Sequence, residues 1–134
     1  MRRDDLQHEF DEAYRQAVAA GERFGHRQHL HVAWLLMRRL GLETGADAVA
    51  EGVRRLTGLH GERARHQASI TSFWTRLIAQ VQQMRPDLED FESALRAFPL
   101  LLDLGLFRRP RRGATNDTLA ARKRWVTRDL TAFP

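Results

Sequence analysis

The sequence predicts an all-α fold, a single-domain helical bundle of four main helices followed by one or two short C-terminal helices. Apolar residues recur at helical spacing through the first hundred residues, and glycine or proline follows each apolar stripe. No segment shows the alternation that is typical of a strand. At 134 residues, 43% hydrophobic and 29% charged, the chain suits one folded domain spanning 1–134, because neither a repeat nor a linker marks a second one.

The first two helices are expected over about residues 4–21 and 26–40. The first stripe consists of Leu6, Phe10, Ala13, Tyr14 and Ala17, and the second of His26, His29, Leu30, Ala33, Met37 and Leu40. Gly21 and Gly25 close the first segment, and Gly41 ends the second.

Three further helices are expected before residue 100. A shorter third helix from about Ala46 ends before Gly58, and the longest runs from about Glu62 to Met84, before Pro86. Asp87 is the expected N-cap of a fifth helix, which Pro99 halts. The segment 108–134 is expected to hold a basic loop, R-R-P-R-R-G, and a last short helix with Leu119 and Trp125.

Composition excludes several classes of function. The chain has no cysteine, so disulfides and thiolate metal sites are absent and a reducing cytoplasm is the expected compartment. The longest apolar run, V-A-W-L-L-M at 32–37, is too short to span a membrane, and no export signal is expected. P-loop, H-E-x-x-H and G-x-S-x-G motifs are also missing, as is the paired Glu-x-x-His of di-iron bundles.

Three histidines are the main candidates for a functional site. At 100° per residue, His26 and His29 fall on the apolar face of the second helix, and His66 falls in line with Phe73 and Leu77 on the fourth. In an up-down-up-down bundle these two helices are parallel, so the three imidazoles are expected in one layer at the helix N-termini. His60, in the turn before the fourth helix, is a candidate fourth member, whereas His31 lies off the apolar face.

Such a layer suits two kinds of chemistry. Three neutral imidazoles hold one transition metal ion, zinc, iron or copper, with an open position for water or substrate. The positive ends of the helix dipoles lower the pKa of an imidazole, so the same residues also suit metal-free acid/base work on a buried small molecule. A structural polar cluster is the third interpretation. A substrate pocket lined by aromatic side chains is expected beside the histidines: Phe24, Trp34, Phe73 and Trp74.

Three segments resemble a family of small helical bacterial proteins with no established activity. The first, from Phe24 to Trp34, reads F-G-H-R-Q-H-L-H-V-A-W and is similar to the family motif F-x-H-x-x-H-L-x-x-A-W. The second, R-H-Q-A-S-I-T at 65–71, is similar to Y-H-E-T-I-T, and A-R-K-R-W-V-T-R-D-L at 121–130 is similar to A-R-x-x-W-V-x-P-D-L.

The resemblance implies that His26, His29 and His66 stand at the family's histidine positions. The chain departs from the family at Gln67, where the family has Glu, and at Arg65, where it has Tyr. A ligand or base supplied by that Glu is therefore missing here, and Gln67 stays an additional candidate for the site.

Two alternatives to a histidine enzyme remain. Residues 108–134 carry eight basic and two acidic groups, and R-R-P-R-R-G with Arg122, Lys123 and Arg124 offers phosphate contacts to a nucleic acid. The other 107 residues are slightly acidic and show no helix-turn-helix, so this alternative is the weaker one. A non-catalytic structural protein, a homo-oligomer packed through Trp125 and Phe133, is the second alternative.

Overall fold

The computed structural model describes residues 2–103, which are helical and contain no strand. The helices are α1 (Arg3–Ala17), α2 (His26–Leu40), α3 (Leu42–Thr57), α4 (Gly61–Met84) and α5 (Phe91–Ala97), followed by a 3₁₀ helix at Pro99–Leu102. The chain divides into two compact units, Met1–Ala79 and Gln80–Pro134, with the boundary inside α4. The all-α prediction is confirmed. The basic segment, the last short helix, Trp125 and Phe133 lie outside the described residues.

Helix α2 is the central element of the first unit, where α1, α2 and α3 pack against one another. Its buried side chains are spread around most of the helix rather than along one stripe: His29, Leu30, Val32, Ala33, Trp34, Leu36 and Met37. The exposed arginines, Arg27, Arg38 and Arg39, occupy the remaining face, and an apolar surface this wide is stable only when neighbouring elements cover it. The run V-A-W-L-L-M is therefore core, and no described helix is long and apolar enough to cross a bilayer.

A single glycine joins α2 to α3. Gly41 donates its backbone N–H to the Met37 carbonyl at the end of α2, and its own carbonyl accepts from Gly45 in the first turn of α3. Its φ of +85° is one that side chains with a Cβ rarely adopt. Helix α3 therefore begins four residues earlier than expected and is 16 residues long, so the prediction of a shorter third helix is wrong.

The first and fifth helices also depart from the expected bounds. Helix α1 ends at Ala17 rather than near residue 21, and Val18 is extended. In the second unit, Asp87 is not the cap of α5, because its carboxylate pairs with Arg85 at 2.8 Å. Asp90 is the cap, and its Oδ1 accepts from the Ser93 backbone N–H at 2.7 Å. Both aspartates precede apolar residues, and only the later one stands next to the helix.

Close packing of α1 on α3 occurs where the Phe10 ring lies against the backbone of Gly52. A Cβ at position 52 would overlap the ring, which is buried with 3% of its surface exposed. Glycine is required at position 52 because any side chain there would collide with the Phe10 ring.

We expect Gly52→Ala to destabilise the protein by about 1–3 kcal/mol, since the ring has no room to move. Glycine to alanine inside a helix ordinarily stabilises by about 0.5–1 kcal/mol, so the sign of the change is diagnostic. Urea unfolding of Gly52→Ala, Phe10→Leu and the double variant measures it, and the double variant should recover part of the loss. A more stable Gly52→Ala protein would contradict this packing.

Candidate functional site

Two of the predicted histidines lie at the start of α2, which is fixed by a local capping interaction. Gln28 Oε1 accepts from the Gly25 backbone N–H at 3.1 Å, and the Gly25 carbonyl accepts from the His29 N–H at 3.0 Å. This arrangement places His26 at the first helical position and His29 one turn later. The prediction that His29 faces the core is confirmed, since it is 7% exposed, and His26 is half-buried.

Aromatic rings surround these imidazoles. The His26 ring meets the Trp74 ring edge to face, with centroids 4.4 Å apart. The Phe24 ring lies 6.2 Å from His29, and it stacks on Tyr14 with centroids 5.4 Å apart. We call the set His26, His29, Tyr14, Phe24 and Trp74 the imidazole–aromatic cluster.

The electrostatics of this cluster keep His29 neutral. Burial and, to a smaller extent, the neighbouring His26 together lower the pKa of His29 to about 4. The Nε2 atom of His29 is buried and has no hydrogen-bond partner among the described residues. A neutral imidazole with an unpaired ring nitrogen can accept or donate a proton, depending on its tautomer.

The prediction that His66 faces the core is wrong. His66 is exposed, as is His60, whereas Phe73 and Leu77 on the same stripe are buried. Helical phase gives the direction of a side chain but not whether another helix covers it. The first ten residues of α4, 61–70, include none that is buried. Among residues 2–103, no three histidine or carboxylate side chains are grouped so that they could hold a metal ion.

A cavity of about 570 Å³ lies between α1, α3 and the first half of α4. Its wall is mainly apolar, with Leu6, Ala50, Val53, Leu59, Ala64 and Ala68, and its polar lining comprises Arg3, Asp47, Glu51, Arg54, Thr57, Arg65, Gln67 and Thr71. None of the four aromatic residues expected in a pocket lines this cavity. Trp34, Phe73 and Trp74 are core side chains, each 3% exposed or less, and Phe24 belongs to the imidazole–aromatic cluster.

Two of the polar residues in the lining are hydrogen-bonded to each other. Gln67 Nε2 donates to Thr71 Oγ1 at 3.3 Å, and Thr71 is buried with 2% exposure. Gln67 is the candidate that the sequence had placed beside the histidines, and the structure assigns it to the cavity instead. Sequence reasoning missed most of the other lining residues. Ala64 and Ala68, four residues apart on α4 and level with Ala50 on α3, are the available signal, because small side chains leave space between helices.

The cavity and the imidazole–aromatic cluster adjoin along two helices. On α1, Leu6 of the cavity is followed one turn later by Phe10, whose ring lies 6.4 Å from Phe24. On α4, Thr71 of the cavity is followed by Trp74, which contacts His26. The two features are therefore successive layers of one helical unit.

Comparisons of the chain with protein-family models, with curated proteins and with solved structures found no match. The resemblance of the three motifs to a bacterial family stays a prediction.

We expect the free energy of unfolding to fall by about 2 kcal/mol between pH 7 and pH 5, because of His29 alone. The unfolded chain binds a proton near pH 6.5, whereas folded His29 resists protonation until about pH 4. The unfolded state therefore binds more protons in this window, and stability declines as the pH falls. Urea unfolding at the two pH values measures the loss. His31→Gln should retain it and His29→Phe should remove it; a His29→Phe protein with the full loss would contradict the assignment.

Proposed function

We propose that this chain binds a small organic molecule in the cavity between α1, α3 and α4. The observation that carries the proposal is the cavity itself, about 570 Å³ with a mainly apolar wall and a few polar groups. Binding sites for small molecules have volumes of roughly 300–1,000 Å³ and this kind of lining. The proposal puts the expected small-molecule partner in this cavity, away from Phe24, Trp34, Phe73 and Trp74.

The polar pair in the wall supports a specific ligand rather than a packing defect. The hydroxyl oxygen of buried Thr71 accepts from the side chain of Gln67. The Thr71 hydroxyl hydrogen can then donate to a ligand, and the side-chain Oε1 of Gln67 can accept from one. A polar pair in an apolar wall orients a ligand that offers a matching group. Four of the seven residues in the second motif line the cavity: Arg65, Gln67, Ala68 and Thr71.

A fluorescence titration tests the proposal. The neutral naphthalene dye prodan should bind the full-length chain saturably, with a blue-shifted emission. Ala68→Trp should weaken this binding, since displacing about 60 Å² of apolar ligand surface is worth about 1.5 kcal/mol, or about tenfold in affinity. Ala68 is exposed at the cavity wall, so the larger side chain does not enter the core.

Ser69→Trp is the matched control, because Ser69 is exposed on the same helix and does not line the cavity. It should bind prodan as the wild type does. If Ala68→Trp and Ser69→Trp bind equally, or if the wild type shows no saturable binding, the cavity is not a ligand site.

A second candidate function is acid/base chemistry by the histidine pair, as an enzyme acting on a buried small molecule. It is favoured by neutral His29, which lies beside His26 and whose buried Nε2 has no hydrogen-bond partner within residues 2–103. A buried polar atom without a partner reduces stability, and residues that reduce stability are retained at functional sites more readily than elsewhere. With His66 exposed, the candidate comprises two histidines rather than three, and a zinc, iron or copper ion stays an untested expectation.

We expect His29→Phe to raise the free energy of unfolding at pH 7 by about 1 kcal/mol, because a phenyl ring fills the site without a buried polar atom. His29→Asn keeps a buried polar group in a smaller side chain and should destabilise the protein. Urea unfolding compares the two variants. A His29→Phe protein less stable than the wild type would mean that the imidazole serves packing, and the acid/base candidate would be withdrawn.

A further inference from the structure

We propose that the ligand of the cavity is an amphipathic anion, an apolar chain of medium length that ends in one anionic head group. This inference rests on the proposed function and adds the chemical class of the ligand. The charges at the cavity mouth and the apolar part of its lining support this class of ligand.

The charged residues of the lining are exposed or half-buried and mark the mouth of the cavity. They comprise three arginines, Arg3, Arg54 and Arg65, and two carboxylates, Asp47 and Glu51, so the mouth carries an excess of one positive charge. Two further charges flank the mouth and offset each other: Arg55 Nε lies 3.5 Å from Glu51, and Glu62 Oε1 lies 4.0 Å from Arg65. An excess of one sign around a low-dielectric cleft concentrates ligands of the opposite sign.

Glu51 organises this group of arginines. Its Oε1 accepts a hydrogen bond from Arg54 Nη2 at 2.7 Å and lies 3.6 Å from Arg3 Nε. The Glu51 side chain is only 16% exposed. The hydrogen bonds from Arg54 hold the pKa of Glu51 below its usual value, so the carboxylate stays charged. One carboxylate cannot occupy the donors of three guanidinium groups, each of which has five.

Two arginines have most of their surface available to a ligand. Arg3 and Arg65 are 72% and 73% exposed at the side chain, and their nearest carboxylate contacts are long, 3.6 Å to Glu51 and 4.0 Å to Glu62. Ion pairs of this kind contribute little, about 0–1 kcal/mol, so either side chain can turn to an anionic head group at small cost. Guanidinium groups bind carboxylates and phosphates with paired hydrogen bonds.

The rest of the cavity selects an apolar chain. The apolar part of the lining consists of the half-buried Leu6 and Leu59, the buried Val53 and three alanines, and its uncharged polar residues are Thr57, Gln67 and Thr71. A second charge on the ligand would lose its hydration there without a partner of opposite sign. The ligand therefore has one charged end, at the mouth.

Three probes with the same chain and different head groups test the inference on the full-length protein: decanoate, decanol and decylammonium, each in competition with prodan. Decanoate should bind more tightly than decanol, by up to about fivefold, and decylammonium more weakly than decanol, because surface charges of this kind add up to about 1 kcal/mol. The advantage of decanoate should shrink as salt is raised, since the mouth is open to solvent.

Two substitutions of opposite sign sharpen the test. Arg65→Gln should lower the affinity for decanoate about threefold, and Asp47→Asn should raise it by a similar factor, since each substitution changes one charge of the mouth at an exposed site. Decanol should be unaffected by both. Arg76→Gln is the control, because Arg76 is exposed on the same helix and does not line the cavity.

The outcomes separate the two proposals. If decanol or decylammonium equals decanoate while Ala68→Trp still reduces binding, the cavity binds ligands but the anionic class is wrong. If none of the three displaces prodan while Ala68→Trp still weakens prodan binding, the amphipathic anion is likewise overturned and the cavity stays a ligand site. If Ala68→Trp has no effect on prodan binding, the proposed function fails as well. If Arg76→Gln weakens decanoate as much as Arg65→Gln does, net charge of the protein and not the mouth accounts for the preference, and the inference is overturned.

Discussion

The contact between the Phe10 ring and the backbone of Gly52 is the constraint on which both candidate sites depend. Because position 52 has no side chain, α1 approaches α3 closely enough for the ring to be almost fully buried. The same ring lies near Phe24 and Tyr14, at centroid distances of 6.4 and 6.2 Å, and so joins the imidazole–aromatic cluster to the helix pair. The ion pairs of α1 with its neighbours, including Arg39–Glu9 at 3.1 Å, are partly exposed and contribute much less than this packing.

Burial has opposite effects on the two layers of the first unit. In the imidazole–aromatic cluster, desolvation keeps His29 uncharged, and its buried Nε2 has no hydrogen-bond partner among the described residues. In the cavity one turn away, charges remain at the exposed mouth and Glu51 keeps its charge through hydrogen bonds from Arg54. A charged group is stable at the mouth and unstable at His29, and this difference gives the two layers different chemistry.

Helical periodicity predicted the helices well and their ends less well. The stripe through Leu30, Ala33 and Met37 correctly identified α2, and Gly41 correctly marked its end. The periodicity did not reveal that α3 begins at the next residue, because Glu43 and Thr44 carry no apolar signal and the glycine suggested a longer break. Asp87 and Asp90 are equally good caps in isolation. The choice between them depends on Arg85, which pairs with Asp87 across a two-residue separation.

The site was harder to predict than the fold, because a site depends on where helices fail to touch. Phase placed His29 correctly, since α2 is covered on most sides, but the same reasoning failed for His66, where α4 extends beyond the buried residues. A cavity forms where the side chains on facing helices are too small to touch. Ala50, Ala64 and Ala68 can be recognised as such residues only once their helices are known to be neighbours. Alanines at helical spacing are also what a tightly packed helix pair requires, so the sequence alone favours close packing as readily as an opening. The charges decide between them: a tightly packed pair would exclude Glu51 and its arginines from the interface, whereas here they line the gap with their charges intact.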